Sequence, residues 1–191
     1  MKNVHARAIA LLGDNVTAFT RYLRGMEFTC EAIPSELLLA PFFSLTDYKL
    51  VIIPAGFGSV LYSKLLPRLR AKKELLTNFV GAGGTLLVSG AFSEKNPYNW
   101  LPLTLEYIQK EQWVTIEMVA DHHAALIVET NKCMCDGYFT AIGSEGEIIL
   151  ENEGGKAILV VASYGAGEII ATTIHEYPSE RFISYCVGED V

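Results

Sequence analysis

The chain has 191 residues, half of them hydrophobic and 19% charged, enough for one domain to bury a substantial core. Its formal charge of -7 and pI near 5.1, with Lys and Arg nowhere in a run, argue against a surface that neutralises nucleic-acid phosphates or anionic lipid. No segment approaches the ~20 uninterrupted apolar residues of a membrane span, so the expectation is one cytoplasmic domain over residues 1–191, without nucleic-acid or membrane partners.

The polar start, Met1 to Arg7, precedes only a short apolar stretch and reads as no export signal. Ala8 to Leu12 then suits a buried strand, with Gly13-Asp14-Asn15 as turn and helix cap. Val16, Phe19, Leu23 and Met26 recur at helical spacing, and Gly25 is placed to end that helix. Phe28 to Ile33 predicts a second strand, stopped by Pro34, and Leu37 to Leu45 a packed connection interrupted by Pro41. Leu50-Val51-Ile52-Ile53 has no polar interruption and reads as a parallel strand buried on both faces. Pro54-Ala55-Gly56-Phe57-Gly58-Ser59 turns the chain into a helical region. Pro67 predicts the first turn of a helix with Leu69, Leu76, Phe79 and Val80 on its apolar side, closed by Gly81, Gly83 and Gly84. Leu86-Leu87-Val88 follows as another interior strand. Three such repeats predict a doubly wound α/β domain with ligands at the carboxyl ends of its strands.

The second half changes character. Trp113 to Val119 alternates as a strand, and turn signals recur at Asp136-Gly137, Gly143 to Gly146, Gly154-Gly155 and Gly165 to Gly167. The runs between them, Ile148 to Leu150, Ala157 to Ala162 and Glu168 to Ile174, are too short for crossover helices and predict antiparallel strands. The last returns to the main sheet, and Pro178 opens a terminal helix.

Four segments in this order resemble the class I glutamine amidotransferase-like superfamily, near its ThuA-like and biotin-protein-ligase N-terminal-like groups. They are Gly13 to Asn15 with Arg21 to Arg24, Tyr48 to Gly56, Phe79 to Val88, and Tyr164 to Glu176. The resemblance implies a flavodoxin-like three-layer sandwich, with a mainly parallel central sheet and an antiparallel β extension in the C-terminal half. It also implies a nucleophilic cysteine on a tight turn after a strand, working with a histidine and a glutamate. Here the matching segment reads Leu87-Val88-Ser89-Gly90-Ala91-Phe92-Ser93 and contains no cysteine. Asn96-Pro97 and Leu101-Pro102 interrupt the region where the activating helix would begin.

The expected function is therefore a noncatalytic domain binding a small ligand or a partner subunit at a strand-end cleft formed by Gly56, Phe57, Gly58, Ser89, Gly90 and His175. The alternative is a divergent hydrolase or metal-assisted enzyme using His175 with Ser89 or a metal. Resemblance places His175 at the base position, but Glu176 is adjacent to it and Tyr177 stands where the glutamate would be. Neighbours on an extended chain point to opposite sides, so Glu176 cannot easily pair with the His175 ring. Serine catalysis would need a base at Ser89 or Ser93, without a G-x-S-x-G spacing to support it. Asp121-His122-His123 and Cys133-x-Cys135-Asp136 offer zinc-type ligands, though the familiar structural sites use a wider C-x₂-C spacing and nothing fixes the distance between the two clusters; as core residues the thiols need no metal. The Pro54 to Ser59 turn could cradle an anion on its N–H groups or simply let a strand enter a helix closely. The four cysteines, Cys30, Cys133, Cys135 and Cys186, form no small-domain disulfide framework and are read as reduced. No cofactor is expected, and a homodimer is an open alternative because proteins of this fold often pair.

Overall fold

A computed structural model describes residues 9–61, 63–93 and 96–188. The readings made on Met1 to Arg7 and on Ala8 lie outside these residues. Strands β1 (Ile9–Leu12), β2 (Cys30–Ile33), β3 (Leu50–Ile53), β4 (Thr85–Val88) and β9 (Gly167–Thr172) run parallel in the order β2-β1-β3-β4-β9. β1, β3 and β4 are buried along their whole length, as unbroken Val/Ile/Leu runs require when helices cover both faces. Alternate side chains feed two cores. Ile9, Leu11, Leu50, Ile52 and Leu87 pack under α1 (Thr17–Gly25) and α4 (Glu180–Val187). Leu12, Val51, Ile53, Leu86 and Val88 pack under α2 (Leu65–Ala71) and α3 (Lys73–Gly81).

The same sheet continues through four longer strands, β5 (Leu105–Met118), β6 (Lys132–Ile142), β7 (Glu147–Asn152) and β8 (Ala157–Tyr164). These overturn the expected mainly parallel, flavodoxin-like sandwich with a β extension. Five of the nine strand pairings are antiparallel, and β7 pairs with both β5 and β8 while β6 bridges the same two, closing a four-stranded barrel. The physical reason lies in bulges: register shifts at Glu106/Tyr107 and Gln109/Gln112 of β5, and at Ile148/Leu150 of β7, bend and twist the strands until the sheet meets itself. Closure leaves these strands no free edge. Tyr98, Tyr107 and Phe139 meet edge-to-face or tilted, with ring centroids 5.5–6.3 Å apart, where this barrel joins the core.

Several local expectations are also corrected. Asp136-Gly137 is no turn but the middle of β6. A Cβ on Gly137 would lie 2.1 Å from the Ile108 carbonyl oxygen and 2.6 Å from the Tyr107 ring, so glycine serves close strand approach. α1 begins after Val16 without a side-chain cap, and Asp14 accepts hydrogen bonds from the Ser35 N–H (2.8 Å) and hydroxyl (2.7 Å). Pro67 is the third residue of α2, and the expected single helix is divided at Lys72. Ser35–Leu39 forms a short 3₁₀ helix within the connection to β3. α4 is capped by Ser179, whose hydroxyl oxygen accepts from the Phe182 N–H at 3.1 Å.

Candidate functional site

The site forms where the end of β9 runs on beside β6. The Asp136 N–H donates to the Thr173 carbonyl at 2.7 Å, Cys135 and Ile174 form an antiparallel bridge, and the His175 N–H donates to the Met134 carbonyl at 2.9 Å. In that register Cys135 and Ile174 turn into the core, while Asp136 and His175 share the opposite face as a diagonal cross-strand pair. Their side chains meet: His175 Nδ1 lies 2.7 Å from Asp136 Oδ1. Glu176, at a bend just after His175, does not bond to the His175 ring; its Oε1 accepts the Met134 N–H at 2.8 Å.

Asp136 is 1% exposed, whereas the His175 side chain is 53% exposed. Burial pushes the Asp136 carboxyl up to about 6. The His175 ring pulls it back down, and Glu111 and Glu176 add to the upward push. The carboxylate can accept the Nδ1 proton, and in that tautomer Nε2 is an acceptor. Asp136 Oδ2 has no hydrogen-bond partner among the described residues. It packs against Gly90, where a Cβ would lie 2.7 Å from it and 2.8 Å from the Asp136 Cβ. A side chain at residue 90 would thus expel the carboxylate from the position that holds the imidazole.

The turn after β4 holds Phe92. Phe92 has φ +52°, a conformation that costs a bulky residue about 1–3 kcal/mol and persists only when its surroundings impose it. Those surroundings are hydrogen bonds from the Gly56 N–H to the Gly90 carbonyl (2.7 Å) and from the Gly58 N–H to the Ala91 carbonyl (2.9 Å). The Phe92 ring lies over Gly56 and 6.3 Å from the His175 ring. No helix follows this turn among the described residues; Tyr98 and Trp100 enter the core instead, and the Tyr98 hydroxyl donates to the Ser89 carbonyl at 2.9 Å.

A cleft of about 230 Å³ opens at these strand ends. Ser89, Phe92, His175 and Glu176 line it, opposite an aromatic wall in which Phe19 stacks on Tyr177 at 4.4 Å. Tyr22 supports that wall 4.9 Å from Tyr177, and its hydroxyl donates to the Pro178 carbonyl at 2.8 Å. Of the six residues expected to form the cleft, Ser89 and His175 line it. Gly56 and Phe57 line a neighbouring hollow with Asp14 and Asn15, Gly90 backs Asp136, and Gly58 packs on Ala91. The Phe57 ring is buried edge-on against Tyr98 and Trp100. Of the Pro54 to Ser59 amides suggested as an anion cradle, those of Gly56, Gly58 and Ser59 donate to carbonyls. Ser89 is buried and makes no hydrogen bond to His175 among the described residues, so the coupling a serine nucleophile needs is not formed.

The zinc-type residues separate. His122 Nδ1 accepts the Ala124 N–H at 3.0 Å, and its Nε2 lies 3.7 Å from Glu168 Oε2. His123 stacks on Tyr185 at 4.9 Å. Cys133 and Cys135 are buried with their sulfurs 3.6 Å apart, and the hydrogen bond between the thiols, then burial, pushes the Cys133 thiol up. Among the described residues no group of three or more His, Cys, Asp or Glu side chains gathers to hold a metal. Sequence reasoning missed Asp136 as a partner for His175, along with the contributions of Phe19, Phe92 and Tyr177. The one available signal was a lone carboxylate following the apolar Cys133-Met134-Cys135.

No protein-family model and no curated protein sequence matches the chain. Solved structures do. A cytoplasmic protein of Salmonella typhimurium LT2 superposes with TM-score 0.65 at 14% identity over 94% of this chain and 95% of its own. A ThuA-like protein of Bacteroides uniformis gives TM-score 0.58 at 13% identity over 97% and 91%. A glutamine amidotransferase of Thermotoga maritima gives 0.59 at 14% identity over 90% and 76%. At these identities the likeness carries the fold alone: the chain has a glutamine amidotransferase-like, ThuA-like fold. No described helix is long and apolar enough to cross a membrane.

Proposed function

We propose that this chain is a noncatalytic domain of glutamine amidotransferase-like fold that binds a small ligand in the strand-end cleft. The observation that carries the reading is Phe92. The turn suited to an exposed nucleophile presents an apolar ring, held at positive φ beside His175. Aromatic walls with a few convergent polar groups are the usual make-up of a small-molecule site, and here the polar groups are His175 Nε2, the Ser89 hydroxyl and the Glu176 carboxylate. In this reading the Asp136–His175 pair fixes the imidazole in one tautomer, so that Nε2 presents a constant acceptor to the ligand.

One observation favours a second reading. A buried carboxylate bonded to Nδ1 is also how a histidine is oriented as a general base, and such a histidine can activate water without a protein nucleophile. Glutaminase and esterase assays on the wild type and His175→Ala separate the two. The binding reading expects no turnover by either protein; turnover lost in a folded His175→Ala variant would replace it with the hydrolase.

A further inference from the structure

We infer that the strand-end cleft selects small organic cations, namely primary amines carried on a single ring or a short apolar body, an inference that rests on the ligand-binding reading above.

Among the described residues no Lys or Arg lines the cleft, and the one carboxylate that does is that of Glu176, an exposed residue. That carboxylate is fixed in place, because Oε1 is engaged by the Met134 N–H while the second oxygen retains its accepting capacity. Asp136 stands behind His175 as a second negative charge, 1% exposed, with Oδ2 unpartnered among the described residues. In the tautomer that donates its Nδ1 proton to Asp136, Nε2 is an acceptor. The rim has the same sign: burial, and after it the carboxylates of Glu129 and Glu180, push the Tyr22 phenol up, and Tyr22 packs against Tyr177. The arginines of the adjoining helices, Arg21 and Arg24 on α1 and Arg181 on α4, do not line the cleft, and Arg24 is bonded to the Cys30 carbonyl. Among the described residues an anion in the cleft would meet no Lys or Arg side chain.

An ammonium group finds the complementary set. Glu176 offers a charge-assisted hydrogen bond, His175 Nε2 a second acceptor, and Phe19, Phe92 and Tyr177 offer π-faces that attract a cation as well as an apolar body. The volume of about 230 Å³ suits one ring with its substituent.

The test uses three probes of one shape: benzylamine, benzyl alcohol and benzoate, titrated into the full chain at neutral pH by calorimetry or ligand-observed NMR. Benzylamine is expected to bind roughly three- to tenfold more tightly than benzyl alcohol, and benzoate more weakly than either. Glu176→Gln keeps an acceptor for the Met134 N–H, and it should erase the amine preference, so that benzylamine and benzyl alcohol bind the variant equally. Equal affinity for amine and alcohol, or benzoate binding as tightly as benzylamine, overturns the selection for cations but leaves the cleft as a binding site. Failure of all three to bind at about 10 mM, the range in which a weak fragment contact registers, overturns the binding reading as well.

Discussion

Asp136→Asn tests whether a charge is buried behind His175. Asparagine keeps the shape and an oxygen acceptor but cannot ionise. In the wild type, burial raises the carboxyl from its ordinary 3.8 to about 6, against the pull of His175. The folded state therefore holds a proton that the unfolded state has released between those two pH values. The associated stability is fully present below about 3.8 and is lost as the pH rises through about 6. The gap corresponds to roughly 3 kcal/mol at about 1.4 kcal/mol per pH unit. Urea unfolding of both proteins at about pH 3.5 and about pH 7 reads this directly, because every other carboxylate is common to the pair and cancels in the difference. Raising the pH should cost the wild type roughly 3 kcal/mol relative to Asp136→Asn. Parallel stability curves would show that the carboxylate is solvated. A relative gain by the wild type would show that attraction to the imidazole outweighs burial, and either result refutes the reasoning.

Gly90→Ala places a methyl 2.7 Å from Asp136 Oδ2 and should destabilise by about 1–3 kcal/mol in the same unfolding assay; a loss below about 0.5 kcal/mol would mean Asp136 has room to move. Phe92→Cys puts the only partly exposed thiol at the turn beside His175, the four native cysteines being buried. Its alkylation by iodoacetamide at neutral pH should be roughly tenfold faster than that of the Phe92→Cys, His175→Ala double variant, and equal rates would show that the imidazole does not serve this turn. Ser179→Ala removes the α4 cap and should cost about 1 kcal/mol in thermal or urea unfolding.

What could be read from the sequence follows the range of the interactions involved. Leu50–Ile53 and Thr85–Val88 announce themselves because a strand covered on both faces tolerates only apolar side chains. His175 was singled out because it follows such a strand at its carboxyl end. The barrel was hidden by its own bulges: the first half of β5 carries Glu106, Lys110 and Glu111 without alternation, so only the part from Trp113 onward looks like a strand. Asp136-Gly137 has the chemistry of a turn, and local preference gives no sign that Ile108 and Tyr107 press against the missing side chain. The Asp136–His175 pair joins residues 39 apart through a register that exists only once β6 lies beside the end of β9. The segment Leu87 to Ser93 could be read only as lacking a cysteine, and the positive φ of Phe92 comes with backbone hydrogen bonds between two turns that no local pattern specifies.

The central claim is that an oriented imidazole faces a cleft in which no side chain attacks. Intact-protein mass spectrometry after incubation with a fluorophosphonate, which labels activated serines, tests it most directly. The account predicts an unmodified mass for the wild type under conditions that label a serine hydrolase to completion. A single phosphonyl adduct mapped to Ser89 or Ser93 and abolished by His175→Ala would contradict it.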